Sequence, residues 1–352
     1  MKKYCTIYLA IIIVLVIFIT TLCCTYNYSL KPVSKESKEI TIEIKEESTY
    51  LSIASLLKEN NLIKSEAFYK VYVKIFKPNN LQAGTYLLDQ NMGVKKIIKK
   101  LEENKASIDT VKLVIPEGKH IEDVAISVAK ITSFKKEALL EYWNSEELLD
   151  KVIKKYWFIT KDVKNDKIRY NLEGYFFPAT YEILKDNATK EDITFKMLDK
   201  MDEVLTKYKK EIENSKYSVH EILTLASIVE HEAILDEDRP MIAKVFLNRL
   251  DKDMMLQSCA TIGYAINNWK LTYTNSDLKT DSPYNTYLYY GLPIGPGGLA
   301  GKKSIEAVLN PDDNDYLYFL ADVYNENATK TYYSKTYGEH QQQCLEYLGK
   351  SC

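Results

Sequence analysis

From Ile7 to Cys24 eighteen apolar or uncharged residues follow one another without interruption. At about 1.5 Å rise per residue, a helix of this length spans roughly 27 Å of hydrocarbon, enough to cross a bilayer once. The pattern predicts a transmembrane helix over 7–24 behind a short cytoplasmic tail, 1–6. Lys2 and Lys3 in that tail place the N-terminus in the cytoplasm and everything after about residue 25 outside the cell membrane. A cleaved signal peptide is the competing reading. The run is longer than a usual signal core, however, and Leu22-Cys23-Cys24 offers no small-x-small cleavage site. A lipoprotein attachment at Cys23 or Cys24 lacks the small residues expected before the cysteine. The expectation is an uncleaved single-pass anchor.

A polar stretch over 25–38 follows and predicts a linker. Beyond it the pattern turns periodic. Ile40-Thr41-Ile42-Glu43-Ile44 alternates with period two, as a strand does, and Leu51, Ile53, Ala54, Leu56 and Leu57 recur at helical spacing between Tyr50 and Glu59. A second helix is expected at about 65–75, a short strand after Ala83-Gly84, and a third helix over 94–103. These elements form a small αβ domain, 39–104. A larger region, 105–352, opens with the strand Val111 to Ile115, stopped by Pro116-Glu117-Gly118. Helical patterns follow through Asp150 and over 190–213. Between them lies the aromatic run Leu172-Glu173-Gly174-Tyr175-Phe176-Phe177-Pro178, which reads either as core or as an exposed platform for sugar rings. The fold class expected is α+β.

The most informative helix starts at Ser218. Ser218 and Glu221 have the spacing of a capping box, and Ile222, Leu225, Ala226, Val229 and Ala233 then recur on one face. Two carboxylates, Glu230 and Glu232, stand near its end. On a helical wheel Glu232 falls beside Leu225, Ile228 and Val229, and Glu230 beside Ala226 and Ser227, so the wheel alone barely separates them. A carboxylic acid against an apolar wall keeps its proton toward neutral pH, which suits a general acid, whereas a surface glutamate at a helix end does no chemistry.

Composition narrows the function. The chain has 352 residues, 46% hydrophobic and 27% charged, with net charge −2. It can bury a sizeable core, and it lacks the Lys/Arg excess that a nucleic-acid surface needs. The six cysteines, at 5, 23, 24, 259, 344 and 352, show no zinc-ligand spacing. A bridge between Cys344 and Cys352 would leave Cys259 free. His231-Glu232 prompts a test for HExxH, which fails because position 235 is leucine. A phosphate loop ending at Gly301-Lys302 fails because positions 296 and 303 are Pro and Lys. Neither metal nor cofactor is expected.

Taken in order, Leu225-Ala226-Ser227-Ile228-Val229-Glu230-His231-Glu232, Val245-Phe246-Leu247-Asn248-Arg249-Leu250, Leu256-Gln257-Ser258, Tyr284-Asn285-Thr286-Tyr287, Gly291-Leu292-Pro293 and Tyr316-Leu317-Tyr318-Phe319 resemble the MltG (YceG-like) endolytic murein transglycosylases. The aromatic run, Pro116-Glu117-Gly118, the anchor and the small αβ unit also match, so the resemblance covers nearly the whole chain. It implies a LysM-like unit over 39–104 and a catalytic domain over 105–352. The implied activity is cleavage of the MurNAc-GlcNAc β-1,4 bond in nascent peptidoglycan strands, leaving 1,6-anhydro-MurNAc ends and terminating elongation. It assigns the acid to Glu232 and a cleft lining to Gln257, Ser258, Tyr284, Asn285 and Thr286. The partners it implies are peptidoglycan strands and the synthases and elongation machinery that extrude them. Glu230 is then structural or a modulator of the acid, and Arg249 belongs to a scaffold ion pair. Two departures stand out: Cys259 where the family usually has Asp, and Ala179 where Asp commonly follows Phe-Pro. The rivals are a tethered wall-binding protein that has lost turnover, and an ordinary hydrolase pairing Glu232 with Asp236 four residues on.

Overall fold

In the computed structural model the described residues are 2–103, 110–185, 188–270, 272–321 and 330–349, with side chains from residue 12 onward. They divide into two compact units, one of residues 1–111 with 184–186, the other of 112–183 with 187–352. The boundary expected at 104–105 lies outside the described residues.

The first unit begins with α1, Lys2–Ser29, which contains the apolar run. Among its described side chains the window apolar enough to cross a membrane is Ile12–Ser29, and nearly all of it is exposed. The helix therefore continues past Cys24 into the expected linker. The rest of that linker is tied down as well: the Leu30 carbonyl accepts from Val94 N–H at 3.0 Å, and Asp89 accepts from Lys38 N–H at 3.0 Å.

Strand β1 (Glu39–Ile44) is followed by α2 (Ala54–Glu59), α3 (Glu66–Phe76), β2 (Gly84–Asp89) and α4 (Val94–Glu102). β1 and β2 pair antiparallel with Ile42 opposite Tyr86 and Ile40 opposite Leu88. Ile42, Ile44, Tyr86 and Leu88 bury one face against Leu57, Tyr69, Ile97 and Leu101, as period-two and period-3.6 patterns require. The helix expected from Tyr50 starts only at Ala54. Thr49 and Ser52 exchange side-chain-to-backbone hydrogen bonds, at 2.8 and 3.1 Å, and hold the intervening residues in a turn.

The second unit carries β3 (Thr110–Val114), α5 (Ile121–Ile131), α6 (Lys136–Trp143), α7 (Glu146–Lys155), β4 (Thr180–Leu184), α8 (Lys190–Thr206), α9 (Lys209–Asn214), α10 (Val219–Glu232), α11 (Arg239–Asp251), α12 (Cys259–Ile266), α13 (Lys302–Leu309), β5 (Tyr318–Ala321), β6 (Thr331–Ser334) and α14 (Tyr337–Gln343). β3 pairs with β4, and β5 pairs antiparallel with β6. The long helical pattern over 190–213 is broken between α8 and α9, where Tyr208 N–H reaches back only three residues to Leu205. The aromatic run is core: Leu172, Tyr175 and Phe176 are fully buried, and Phe176 packs edge-on against Trp143 at 5.0 Å. Within it Gly174 has φ +78°, and a β-carbon there would lie 2.3 Å from Pro296 Cβ, so only glycine lets this turn meet the glycine-rich segment. Cys344 is disulfide-bonded. The sequence shows no disulfide framework, so this bond is a correction; Cys352, with which Cys344 could pair, lies outside the described residues.

Candidate active site

α10 is the axis on which the site is built. The capping box forms, with Ser218 Oγ accepting from Glu221 N–H at 3.2 Å and Glu221 Oε2 accepting from Ser218 N–H at 2.8 Å. Every residue from Ile222 to Val229 is buried, and the helix packs on α11, α12 and α13. The glycine-rich segment runs beside it. His220 Nε2 meets Ile294 O at 2.9 Å, Gly297 N–H donates to Ser227 Oγ at 3.0 Å, and Gly301 N–H donates to Glu230 Oε2 at 2.8 Å.

The two glutamates at the end of this helix have opposite surroundings. Glu230 is almost wholly buried and spent. Its carboxylate pairs with Arg239 Nη2 at 3.1 Å and accepts from Ser304 Oγ and Gly301 N–H, both at 2.8 Å, which ties α10 to α11 and to the start of α13. Glu232 is partly buried and faces the N-terminus of α12. Ser258 Oγ donates to its Oε1 at 2.5 Å and Ala260 N–H at 3.4 Å. Burial pushes the Glu232 carboxyl above its ordinary pKa, against the hydrogen bonds from Ser258 and Ala260 and the more distant Arg249 charge, which favour the carboxylate. The result is a carboxyl whose acid form is favoured by burial beside polar donors that stabilise its anion.

Ser258 and Thr286 lie directly under this acid. Ser258 N–H donates to Thr286 Oγ1 at 3.1 Å, and Thr286 Oγ1 shares a hydrogen with Thr261 Oγ1 at 2.8 Å. Gln257 adopts a left-handed φ of 48°, is fixed through its N–H to Thr286 O at 3.1 Å, and leaves its side chain exposed. The other two residues expected to line the cleft face inward. The Asn285 amide donates to Leu278 O and Thr280 O, at 3.0 and 2.7 Å, and accepts from Tyr287 N–H at 2.8 Å. The Tyr284 hydroxyl accepts from Arg169 N–H at 3.2 Å, and its ring packs edge-on against Tyr264. Both are buried. They shape the loop from beneath rather than presenting polar atoms to its surface.

Arg249 departs from the expected ion pair. It donates instead to the carbonyls of Leu317 (2.6 Å) and Leu256 (2.7 Å), fixing the segment that delivers Gln257 and Ser258. Asp236 does not share a helical face with Glu232, because α10 ends at Glu232. It pairs with Arg239 at 3.0 Å and with Lys303.

Several residues of the site had no pattern to reveal them. Arg169 clamps the last carbonyls of α12 at 2.6 and 2.7 Å. Glu173, inside the aromatic run, is fully buried and accepts from Ile121 N–H at 3.0 Å and Tyr264 Oη at 3.1 Å. Its burial pushes its pKa up to about 8. His120, His231 and Trp269 meet face to face. Among the described residues no group of three or more His, Cys, Asp or Glu could hold a metal ion. An open cavity of about 800 Å³ lies at the other end of α10, bordered by Ser218, His220 and Tyr290.

Comparison with known proteins places the chain in a family. The YceG-like family model matches residues 42–346. The chain is 38% identical over 321 residues to an endolytic murein transglycosylase of Bacillus subtilis (strain 168), covering 91% of this chain and 88% of that protein. It is 35% identical over 347 residues to an endolytic murein transglycosylase of Streptococcus pneumoniae serotype 2, covering 92% of this chain but 62% of that longer protein. A crystal structure of a putative yceG-like protein from Listeria monocytogenes superposes with a TM-score of 0.63 at 40% identity, over 88% of this chain and all of that one.

Proposed function

Because the chain belongs to the YceG-like family, we propose that it is an endolytic murein transglycosylase in which Glu232 serves as acid and then as base. The observation that carries this reading is the contrast at the end of α10. Burial raises the pKa of Glu232, whose carboxyl meets hydrogen-bond donors and no ion-pair partner, while the nearby carboxylates of Glu230 and Asp236 are already paired with cations. A two-carboxylate hydrolase needs a second free carboxylate to activate water or attack the sugar. A lytic transglycosylase does not. Glu232 protonates the glycosidic oxygen as the C–O bond breaks. The resulting carboxylate takes the proton of the muramic acid C6 hydroxyl, whose oxygen closes onto the anomeric carbon. The proton returns to Glu232, no water is consumed, and the nucleophile is already tethered to the reacting centre, which is where much of the rate enhancement arises.

In this reading Ser258 and the first turn of α12 stabilise the carboxylate phase, and Gln257 contacts the strand. Thr286, Tyr284 and Asn285 hold the cleft floor in register. Cys259 leaves the acid's hydrogen bonds intact: its thiol lies 3.4 Å from the Tyr287 hydroxyl while Ser258 and Ala260 still reach Glu232. The loss-of-turnover alternative is therefore not favoured. The small unit, with its strand, helix, helix, strand order, is read as a LysM-like wall-binding domain over 39–104. α1 anchors the chain with Lys2 and Lys3 on the cytoplasmic side, so that Glu232 acts outside the membrane on strands leaving a synthase.

The test is cleavage of uncrosslinked glycan strands by the detergent-solubilised full chain in ¹⁸O-labelled water. Anhydro-muramic ends without label are expected. Labelled reducing ends would make the protein a hydrolase.

A further inference from the structure

One turn along α12 from the acid's donors, Gly263 leaves room for the loop that follows the helix. A β-carbon at Gly263 would lie 2.9 Å from Trp269 Cε3 and 2.6 Å from the Tyr273 hydroxyl, so both side chains lie directly on the helix surface. Tyr273 is near enough to Glu232 and Cys259 for their charges to raise its pKa, after burial, which raises it most. Trp269 also packs on His231, the residue that precedes the acid on α10, with ring centroids 4.4 Å apart.

Trp269 is 42% exposed, which is unusual for so large an apolar ring. It does not float free. His231 lies 4.4 Å from it at an interplanar angle of 30°, His120 lies 5.1 Å away at 22°, and the two imidazoles are 5.5 Å apart at 17°. Three nearly parallel rings at these spacings form one stacked cluster of two imidazoles and an indole. His120 Nδ1 and His231 Nε2 are buried without a hydrogen-bond partner among the described residues. Burial keeps both rings uncharged at neutral pH, His231 down to about 4. Two such nitrogens do not by themselves make a metal site. They make a neutral, flat support that fixes the orientation of an exposed indole.

We propose that Trp269 is a sugar-stacking platform of the cleft, holding the apolar face of one pyranose ring of the glycan strand next to the bond that Glu232 cleaves. A pyranose presents C–H groups on one face, and a flat aromatic ring already fixed in place gains that contact at little cost in rotamer freedom. The platform rests on the transglycosylase reading for its ligand. Neither the wheel pattern nor the family motifs include it.

The test uses the full chain in detergent with uncrosslinked peptidoglycan strands. In a Glu232→Gln background, strand titration should change the tryptophan emission, and the change should vanish in Trp269→Phe. Trp143 is fully buried and Trp157 donates to Asp202 at 2.8 Å, so neither is placed to report the ligand. With Glu232 intact, Trp269→Ala should raise KM about tenfold with kcat changed far less, and Trp269→Phe should recover most of the loss. An emission spectrum indifferent to saturating strands, or a KM for Trp269→Ala within about twofold of the parent, overturns the platform. Cleavage that proceeds without any role for Trp269 sinks this proposal alone. An emission change together with no cleavage by the chain that keeps Glu232 sinks the transglycosylase reading and leaves strand stacking on Trp269 standing.

Discussion

Two glutamates, two residues apart on α10, end in different chemistry because of what faces them. Glu230 meets Arg239, Ser304 and Gly301 N–H, and Glu232 meets only polar donors at the start of α12. Burial raises the Glu232 pKa despite the more distant Arg249 charge, so turnover should fall on the alkaline side as the acid's proton is lost. Ser258 donates to the carboxylate form. Ser258→Ala therefore raises the Glu232 pKa further and moves the alkaline limb of the kcat profile to higher pH, with kcat about tenfold lower from a less firmly held acid. A limb that stays put, or moves down, would contradict the role given to this hydrogen bond. The wheel could not separate the two glutamates, because both flank apolar positions. Their difference comes from groups between 9 and 74 residues further along the chain, which no local pattern contains.

At the level of elements, α10 was the most legible part of the molecule. Its capping box and its apolar face both depend on neighbours within a few turns, and both form as the spacing requires. β1, β2, α3 and α4 were equally plain for the same reason. β4, β5 and β6 were not, since each is four or five residues long and pairs only within a two-stranded sheet, too short for alternation to stand out. The aromatic run carried two meanings until Trp143 and His220 were brought against it. What holds α10 to its neighbours is the buried pair between Glu230 and Arg239. Glu230→Ala leaves the Arg239 guanidinium buried with only Asp236 as a charged partner and frees Gly301 N–H. The cost should be about 3 kcal/mol in urea unfolding, far above that of a surface ion pair. A loss below about 1 kcal/mol would place that pair among the surface kind.

The whole molecule carries a pH signature from two buried groups of opposite sign. Glu173 has its folded pKa raised to about 8, so the stability it confers is complete below its unfolded value of 4.5 and is lost as pH climbs toward 8. His231 has its folded pKa lowered from 6.5 to about 4, so its contribution is complete above 6.5 and is lost as pH falls toward 4. Between 4.5 and 6.5 the two slopes oppose each other. From 6.5 to 8 Glu173 lowers stability by about 2 kcal/mol, and the raised pKa of Glu232 acts in the same direction. Glu173→Gln, which keeps a neutral amide between Ile121 N–H and the Tyr264 hydroxyl, should flatten that decline. An unchanged slope in thermal melts of the full chain would show that Glu173 is ionised in the folded protein.

The central claim of the proposed mechanism is that one side chain does both proton transfers. Replacing Glu232 by Gln in the full chain tests this most directly, with turnover of uncrosslinked strands and strand binding measured on the same sample. The account predicts a folded variant that still binds strands while turnover falls by roughly 10²–10⁴. Turnover at the unaltered rate would contradict it and return the acid to another residue.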